Sequence, residues 1–391
     1  MDKLRVRVYN VRFGDAFLIS VPDRAKGGKP KTRHILVDVG NSQSGEGGIN
    51  AVFEPVIRDV QRATKGRPLD LYVMTHEHMD HVQGPLCASR KFGLDLRADF
   101  AWFTGSAAPD YYEDHPDAKK KLAEFADARD AIQRYLATSA DAVPLGIQCL
   151  MAINNPQRTA DCVDYLRSIA PKENTSYVHR GCDLKSKHPF RDATFEVWAP
   201  EEDTADYYTK LCPMALAATE GKGTPRPMRQ HLRPPPGVDA GAFFNLVESR
   251  RHGYVENLLA IDRAANNTSV VFCLEWRGRK LLFPGDAELK SWKTMGQHNL
   301  LKPVHFLKVS HHGSANGTPG HELLNKILPI QKKPKERPVA VVSTYPGTGY
   351  NGVPDKDTLE NVLAARCQLR CVHKEKVPDG EYIDLEFLPL A

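Results

Sequence analysis

The stretch Thr75-His76-Glu77-His78-Met79-Asp80-His81 constrains this chain more than any other. Three imidazoles and two carboxylates fall within seven residues. The run just before them, Leu69-Asp70-Leu71-Tyr72-Val73-Met74, has the character of a central strand that ends at Thr75. Neutral imidazole and carboxylate are the ligand types for zinc and related divalent ions. Residues two apart in an extended turn point the same way, so His76 and His78 can share one ion. Asp80 and His81, on the next turn, then address a second. Only 15 of the 391 residues are histidine, so three within six positions is not a chance gathering.

Two ions need more ligands than one loop supplies. In Leu281-Leu282-Phe283-Pro284-Gly285-Asp286-Ala287-Glu288 a strand delivers an aspartate just after a glycine that lets the backbone turn. Asp286, with two carboxylate oxygens, is the expected bridging ligand. Phe306-Leu307-Lys308-Val309-Ser310-His311-His312-Gly313-Ser314 is a third strand ending in histidines and a glycine. His312 is the expected ligand of the second ion. His311 is the expected catalytic residue on the substrate side, beside Asp80, which is expected to orient the attacking hydroxide as well as to bind metal. Lys308 and Ser314, with the amides after Gly313, are the candidates for holding an anionic oxygen. Glu288 reads either as a pocket-rim residue or as a carboxylate favoured by the start of a helix.

The pattern His-x-His-x-Asp-His, Gly-Asp-Ala, Leu-Lys-Val-x-His-His-Gly-Ser resembles the metallo-β-lactamase superfamily. More closely, it is similar to the metallohydrolase domain of DNA-internalisation competence proteins. Arg12-Phe13-Gly14-Asp15-Ala16 resembles that branch's opening, with Phe13 in place of a glycine. Ile35-Leu36-Val37-Asp38-Val39-Gly40 and Asn266-Asn267-Thr268-Ser269-Val270-Val271 match further landmarks, in order, over residues 8 to 315. The resemblance implies an αββα sandwich with metals at the sheet edge. It also implies hydrolysis by a metal-bridged hydroxide, most often of phosphodiesters or other esters. As ligands it implies His76, His78, Asp80, His81, Asp286 and one of His311 and His312. Two departures stand out. Where many members carry a further histidine, this chain has Ala199-Pro200, leaving His252 or His179 to complete the first site. The membrane spans and oligonucleotide-binding segment of competence proteins are absent from the sequence, so a role in DNA uptake does not carry over.

The remaining sequence sets the context. No apolar run approaches the roughly 18 residues of a membrane span, and the start does not read as a signal peptide. The 53 basic and 48 acidic residues give +5, which permits a polyanionic ligand without requiring one. Eight scattered cysteines without a Cys-x-x-Cys suggest reduced thiols and a cytoplasmic protein. Periodicity predicts helices over 49–62, 116–138, 157–169 and 355–365, and strands that include 4–9, 17–21, 35–39, 193–198, 269–276, 280–283, 304–309, 339–343 and 383–387. Residues 1–391 read as one metallo-β-lactamase-like domain. The proline-rich segment 201–255, with Arg226, Arg229 and Arg233, reads as an insertion or lid.

The expected function is therefore that of a metallohydrolase with two divalent ions. Zinc is the first choice, with manganese or iron as alternatives, and the substrate is a phosphodiester of a nucleic acid or a phosphorylated small molecule. The competing readings are a hydrolase of small esters, lactones or amides, and a non-catalytic binding protein with structural metals.

Overall fold

The computed structural model describes residues 2–42, 49–138, 143, 145–212, 253–331, 333, 337–345 and 352–390. The fold is mixed α/β, with two mixed sheets and helices. The first sheet contains β1 (Leu4–Tyr9), β2 (Ala16–Arg24), β3 (Pro30–Val39), β4 (Leu71–Val73), β5 (Ala101–Thr104), β6 (Thr175–Val178) and β13 (Tyr382–Phe387), in the order β13-β1-β2-β3-β4-β5-β6. The second contains β7 (Ala193–Ala199), β8 (Val271–Trp276), β9 (Arg279–Phe283), β10 (Phe306–Lys308), β11 (Val339–Val342) and β12 (Gln368–Cys371), in the order β12-β11-β10-β9-β8-β7. Each sheet changes from antiparallel to parallel pairing part-way across. The change falls at β3 in the first sheet and at β9 in the second. Parallel strands run their carboxyl ends to a common edge, where loops can converge.

Both faces of these strands are apolar, which explains their near-continuous hydrophobic runs. Ile35 and Val37 of β3 share one core cluster with Phe272, Phe283 and Phe306 of the second sheet. Leu36 and Val39 join Phe53, Val56 and Val60 of helix Phe53–Thr64 in a second cluster. Leu282, Leu307 and Ala340 pack with Trp292 and Met295 of helix Leu289–Gln297 in a third.

The predicted strands are present with shifted ends: the strand expected at 35–39 begins at Pro30, that at 17–21 runs on to Arg24, and that at 304–309 shortens to Phe306–Lys308. Three local expectations need correction. The metal-loop sequence does not remain an extended turn: His78 is extended, and helix Met79–Phe92 begins immediately after it, so Asp80 and His81 lie in a first helical turn. The histidines masked this helix start. The region called an insertion to 255 already contains the start of helix Tyr254–Asn267, whose Leu258, Ala260 and Ala264 are buried. Pro-rich sequence before it and asparagines at its end obscured the period. The expected helix 355–365 shrinks to one wide turn, Thr358–Leu363. The arginines at 226, 229 and 233, and His252, lie outside the described residues.

All eight cysteines are free. Among the described residues, no helix is long and apolar enough to cross a membrane.

Candidate metal centre

Five strand ends meet at one place. β3 supplies Asp38, β4 leads to Thr75–His81, β9 leads to Asp286, β10 leads to Lys308 and His312, and β11 leads to Ser343. Two glycines make the approach possible. A Cβ on Gly40 would lie 2.1 Å from the Asp80 carbonyl carbon and 2.2 Å from His81 N, so only glycine lets the β3 end press against the helix start. Gly285 has φ +54°, a left-handed turn that aims Asp286 inward. Three non-glycine residues here also have positive φ: Asp38 (51°), His311 (46°) and His312 (50°). Such conformations cost of order 1–3 kcal/mol each and persist where surrounding structure enforces them, typically at functional sites.

The hydrogen bonds fix which nitrogen of each imidazole faces the centre. His81 Nδ1 lies 2.8 Å from Asp38 Oδ2, and His312 Nδ1 lies 2.8 Å from the Ser343 carbonyl. His76 Nδ1 lies 3.2 Å from Thr75 Oγ1, whose own proton goes to Asp38 Oδ2 at 2.6 Å. His78 Nε2 lies 3.0 Å from Asn154 Oδ1. The partner is an acceptor each time, so the imidazole donates through that nitrogen and presents a lone pair on the other. This is how metal-binding histidines are oriented.

Those lone pairs converge on carboxylates. His81 Nε2 and His312 Nε2 each lie 3.2 Å from Asp286 Oδ2, and His312 Nε2 lies 3.2 Å from Asp80 Oδ2. The ligand atoms of Asp80, His81, Asp286 and His312 all lie within 4.8 Å of one another, and all four residues are buried. Acceptors facing acceptors in a water-poor site are tolerable only with a proton or a cation between them. His76 Nε2 and Asp80 Oδ1 are also buried without a hydrogen-bond partner. The His76 ring lies 4.2 Å from that of His81 and 4.7 Å from that of His78. The donor set, mixed imidazole and carboxylate with orphaned lone pairs, fits a divalent cation.

The charges respond accordingly. Burial opposes a proton on His312, but Asp286 and Asp80 outweigh it and hold the imidazole at about 10. His81 is likewise raised, against burial, by Asp286, Asp38 and Asp80. His76 is driven well below its ordinary value by burial and by the neighbouring His81 and His78.

Lys308 departs from expectation. Lys308 is 1% exposed, and its ammonium donates to Asp286 Oδ1 at 2.7 Å, to the Gly285 carbonyl at 2.7 Å, and to Asp15. All three protons are used inside the protein, so Lys308 is not the expected contact for a substrate oxyanion. It sets the charge of the centre instead. Burial opposes ionisation of Asp286, but Lys308, His312 and His81 overcome it and keep the carboxyl well below its ordinary range. Because Lys308 takes Oδ1, Oδ2 is the Asp286 oxygen that faces the imidazoles. Ser314 is buried; its Oγ accepts from Gly317 N at 3.1 Å and its amide donates to the His311 carbonyl at 2.9 Å, so its amide is engaged while its hydroxyl proton meets no acceptor among the described residues.

A second group lies beside the first. His311 Nδ1 is 3.2 Å from Glu288 Oε1. Glu288 is 3% exposed, so it is part of the buried wall and not the rim. The Asn266 amide nitrogen donates to Glu288 Oε1 at 2.9 Å and to Asp262 Oδ2 at 3.2 Å, and sits 3.4 Å from His311 Nε2. Asp262, Glu288 and His311 have metal-like spacing, but the amide fills the place a cation would take.

Of the two expected third ligands for His76 and His78, only His179 lies among the described residues. His179 places Nδ1 3.0 Å from the Arg180 carbonyl and joins none of the described clusters. His252 lies outside the described residues. The carboxylate that approaches His78 is Asp262, with Oδ1 4.0 Å from Nε2.

Thr75, Asn154, Asp262 and Ser343 carry no sequence signal of a site role. Asp15 and Asp38 stand in the quoted landmark motifs, and their position at strand ends was the available clue. No protein-family model matches this chain, and no curated protein matches it either.

Proposed function

We propose that this chain is a metal-dependent hydrolase whose two sheets and flanking helices form an αββα layered domain spanning residues 1–391. The observation that carries the reading is the convergence of His81 Nε2 and His312 Nε2 on Asp286 Oδ2 in a buried site, beside the unpartnered His76 Nε2 and Asp80 Oδ1. Asp80, His81, Asp286 and His312 would hold one divalent cation, and His76 and His78 would begin a second position alongside. Zinc suits the imidazole content best, with manganese or iron as alternatives. A cation bound there supplies Lewis acidity that polarises an ester or phosphoryl oxygen and makes water acidic enough to attack near neutral pH.

The chain's own groups do the rest. Asp38 and the Ser343 carbonyl fix the orientation of His81 and His312. Asp80 keeps Oδ1 without a protein partner, ready to accept a proton from water. His311 has a side chain 17% exposed, against 0% for His81 and His312 and 6% for His78. Held between Glu288 and Asn266, it is the imidazole placed to exchange a proton with substrate.

Phosphodiesters of a nucleic acid or a phosphorylated small molecule are the first substrate class. A second reading, hydrolysis of small esters or lactones, is favoured by a cavity of about 330 Å³ next to His78 whose lining is mostly aromatic and aliphatic. Elemental analysis of purified protein, then assay on bis(4-nitrophenyl) phosphate, a single-stranded oligonucleotide and a lactone, tests both. Protein that binds no divalent metal, or turnover that survives complete chelation, would sink the proposal.

A further inference from the structure

The cavity beside His78 has a specific chemical character. Phe125, Tyr112, Tyr208 and Ile261 form much of its wall, and His78 joins it to the metal centre. Its volume, about 330 Å³, suits one or two fused rings and is at the small end for ligand pockets. One acidic group faces this apolar space. Glu77 lines it between the two ligand histidines, and its charge bears on the hydroxyls of both Tyr112 and Tyr208. Those hydroxyls lie 3.3 Å apart, bonded to each other and not to the carboxyl group. Arg129, also at the wall, is engaged by Asp130, with Nη2 2.5 Å from Oδ1. Glu77 itself makes no hydrogen bond or ion pair to any described residue; the Arg167 charge reaches it, but that guanidinium donates to Asp164 and to the Ala107 carbonyl instead. A half-buried carboxyl group in apolar surroundings without a donor is unfavourable unless a ligand supplies one.

We infer that this cavity receives a ring-sized, largely apolar group of the substrate that carries an N–H donor, with the donor meeting Glu77. Its assignment to substrate rests on the hydrolytic role proposed above, whereas the binding preference does not. The aromatic walls supply contact area for a planar ring, and the carboxyl oxygens distinguish rings with N–H from those without.

Indole and benzofuran test this directly, because they share size and shape and differ only in N–H against O. Calorimetric titration of the metal-containing protein should show indole binding about tenfold more tightly than benzofuran. In Glu77→Leu the ratio should fall to about one, with metal content unchanged as the check that the 76–81 loop keeps its place. Ala126→Trp, at the half-buried edge of the cavity, should abolish binding of both rings. Equal affinity of the two rings for wild-type protein, or a preference that survives Glu77→Leu, overturns the inference. If a test ester or diester is turned over, indole should raise its KM and leave kcat unchanged. Indole binding through Glu77 without turnover of any substrate would uphold the cavity's preference and defeat the hydrolytic reading instead.

Discussion

Two carboxylate–imidazole groups lie side by side in this protein, held together by opposite means. In the inner group, the imidazole nitrogens of His81 and His312 lie 3.2 Å from carboxylate oxygens of Asp80 and Asp286, so only a proton carried by the imidazole or a cation can stand between them. In the outer group, Asp262, Glu288 and His311 surround the amide of Asn266, which donates to both carboxylates. The same residue types at similar spacing therefore differ in what stands between them. Counting histidines and carboxylates does not separate the two groups, but following each proton does.

The comparison can be broken most sharply by removing an inner ligand. Asp286→Ala or His312→Ala should reduce bound metal to near zero and abolish turnover while the protein remains folded, as read by elemental analysis and circular dichroism. Undiminished metal in either variant would show that the inner group is not the cation site. The next largest effect is expected at Lys308. Lys308→Met leaves Asp15 and Asp286 buried without their counter-charge and should destabilise the metal-free protein by about 3–5 kcal/mol in denaturant titration. Added divalent metal should recover part of that loss, because a cation replaces the missing charge.

A smaller effect should follow from loosening one imidazole. Asp38→Ala removes the acceptor that orients His81 and should weaken metal affinity roughly 10- to 100-fold in a chelator competition. The smallest belongs to the outer group. Asn266→Ala removes the donor shared by two buried carboxylates, leaving Asp262 with Asn154 alone, and should cost about 1–3 kcal/mol of stability, with metal stoichiometry unchanged. A metal equivalent in wild-type protein that disappears in Asp262→Asn would overturn the distinction, because the outer group would then be a cation site too.

The candidate ligands were legible in the sequence because each follows the carboxyl end of an apolar strand, where a strand-to-loop change is easy to read. His76, His78, Asp80 and His81 share one segment, and Asp286 and His312 each follow a recognisable strand. Glu288 stands at the N-cap of helix Leu289–Gln297, as the helix-start reading has it, whereas the role of Lys308 was not legible. A lysine at a strand end looks the same in sequence whether its ammonium meets substrate or two buried aspartates. The helix Tyr254–Asn267 was missed because its asparagines looked like loop, and with it went Asp262. Ser343 contributes a backbone carbonyl, which any residue at that position would offer.

The amino-acid sequence by itself determined the strand-forming runs, the glycines that permit turning and close approach, and the kinds of ligand atom available. Those properties are local, set by side-chain chemistry and a few neighbouring dihedral angles. Only the tertiary structure decided which groups share a hydrogen bond. Asp38 and His81 are 43 residues apart, and Asp80 and His312 are 232 apart. Proton positions depend on these long-range pairings, and they distinguish carboxylates that face imidazole nitrogens from carboxylates that share an amide donor.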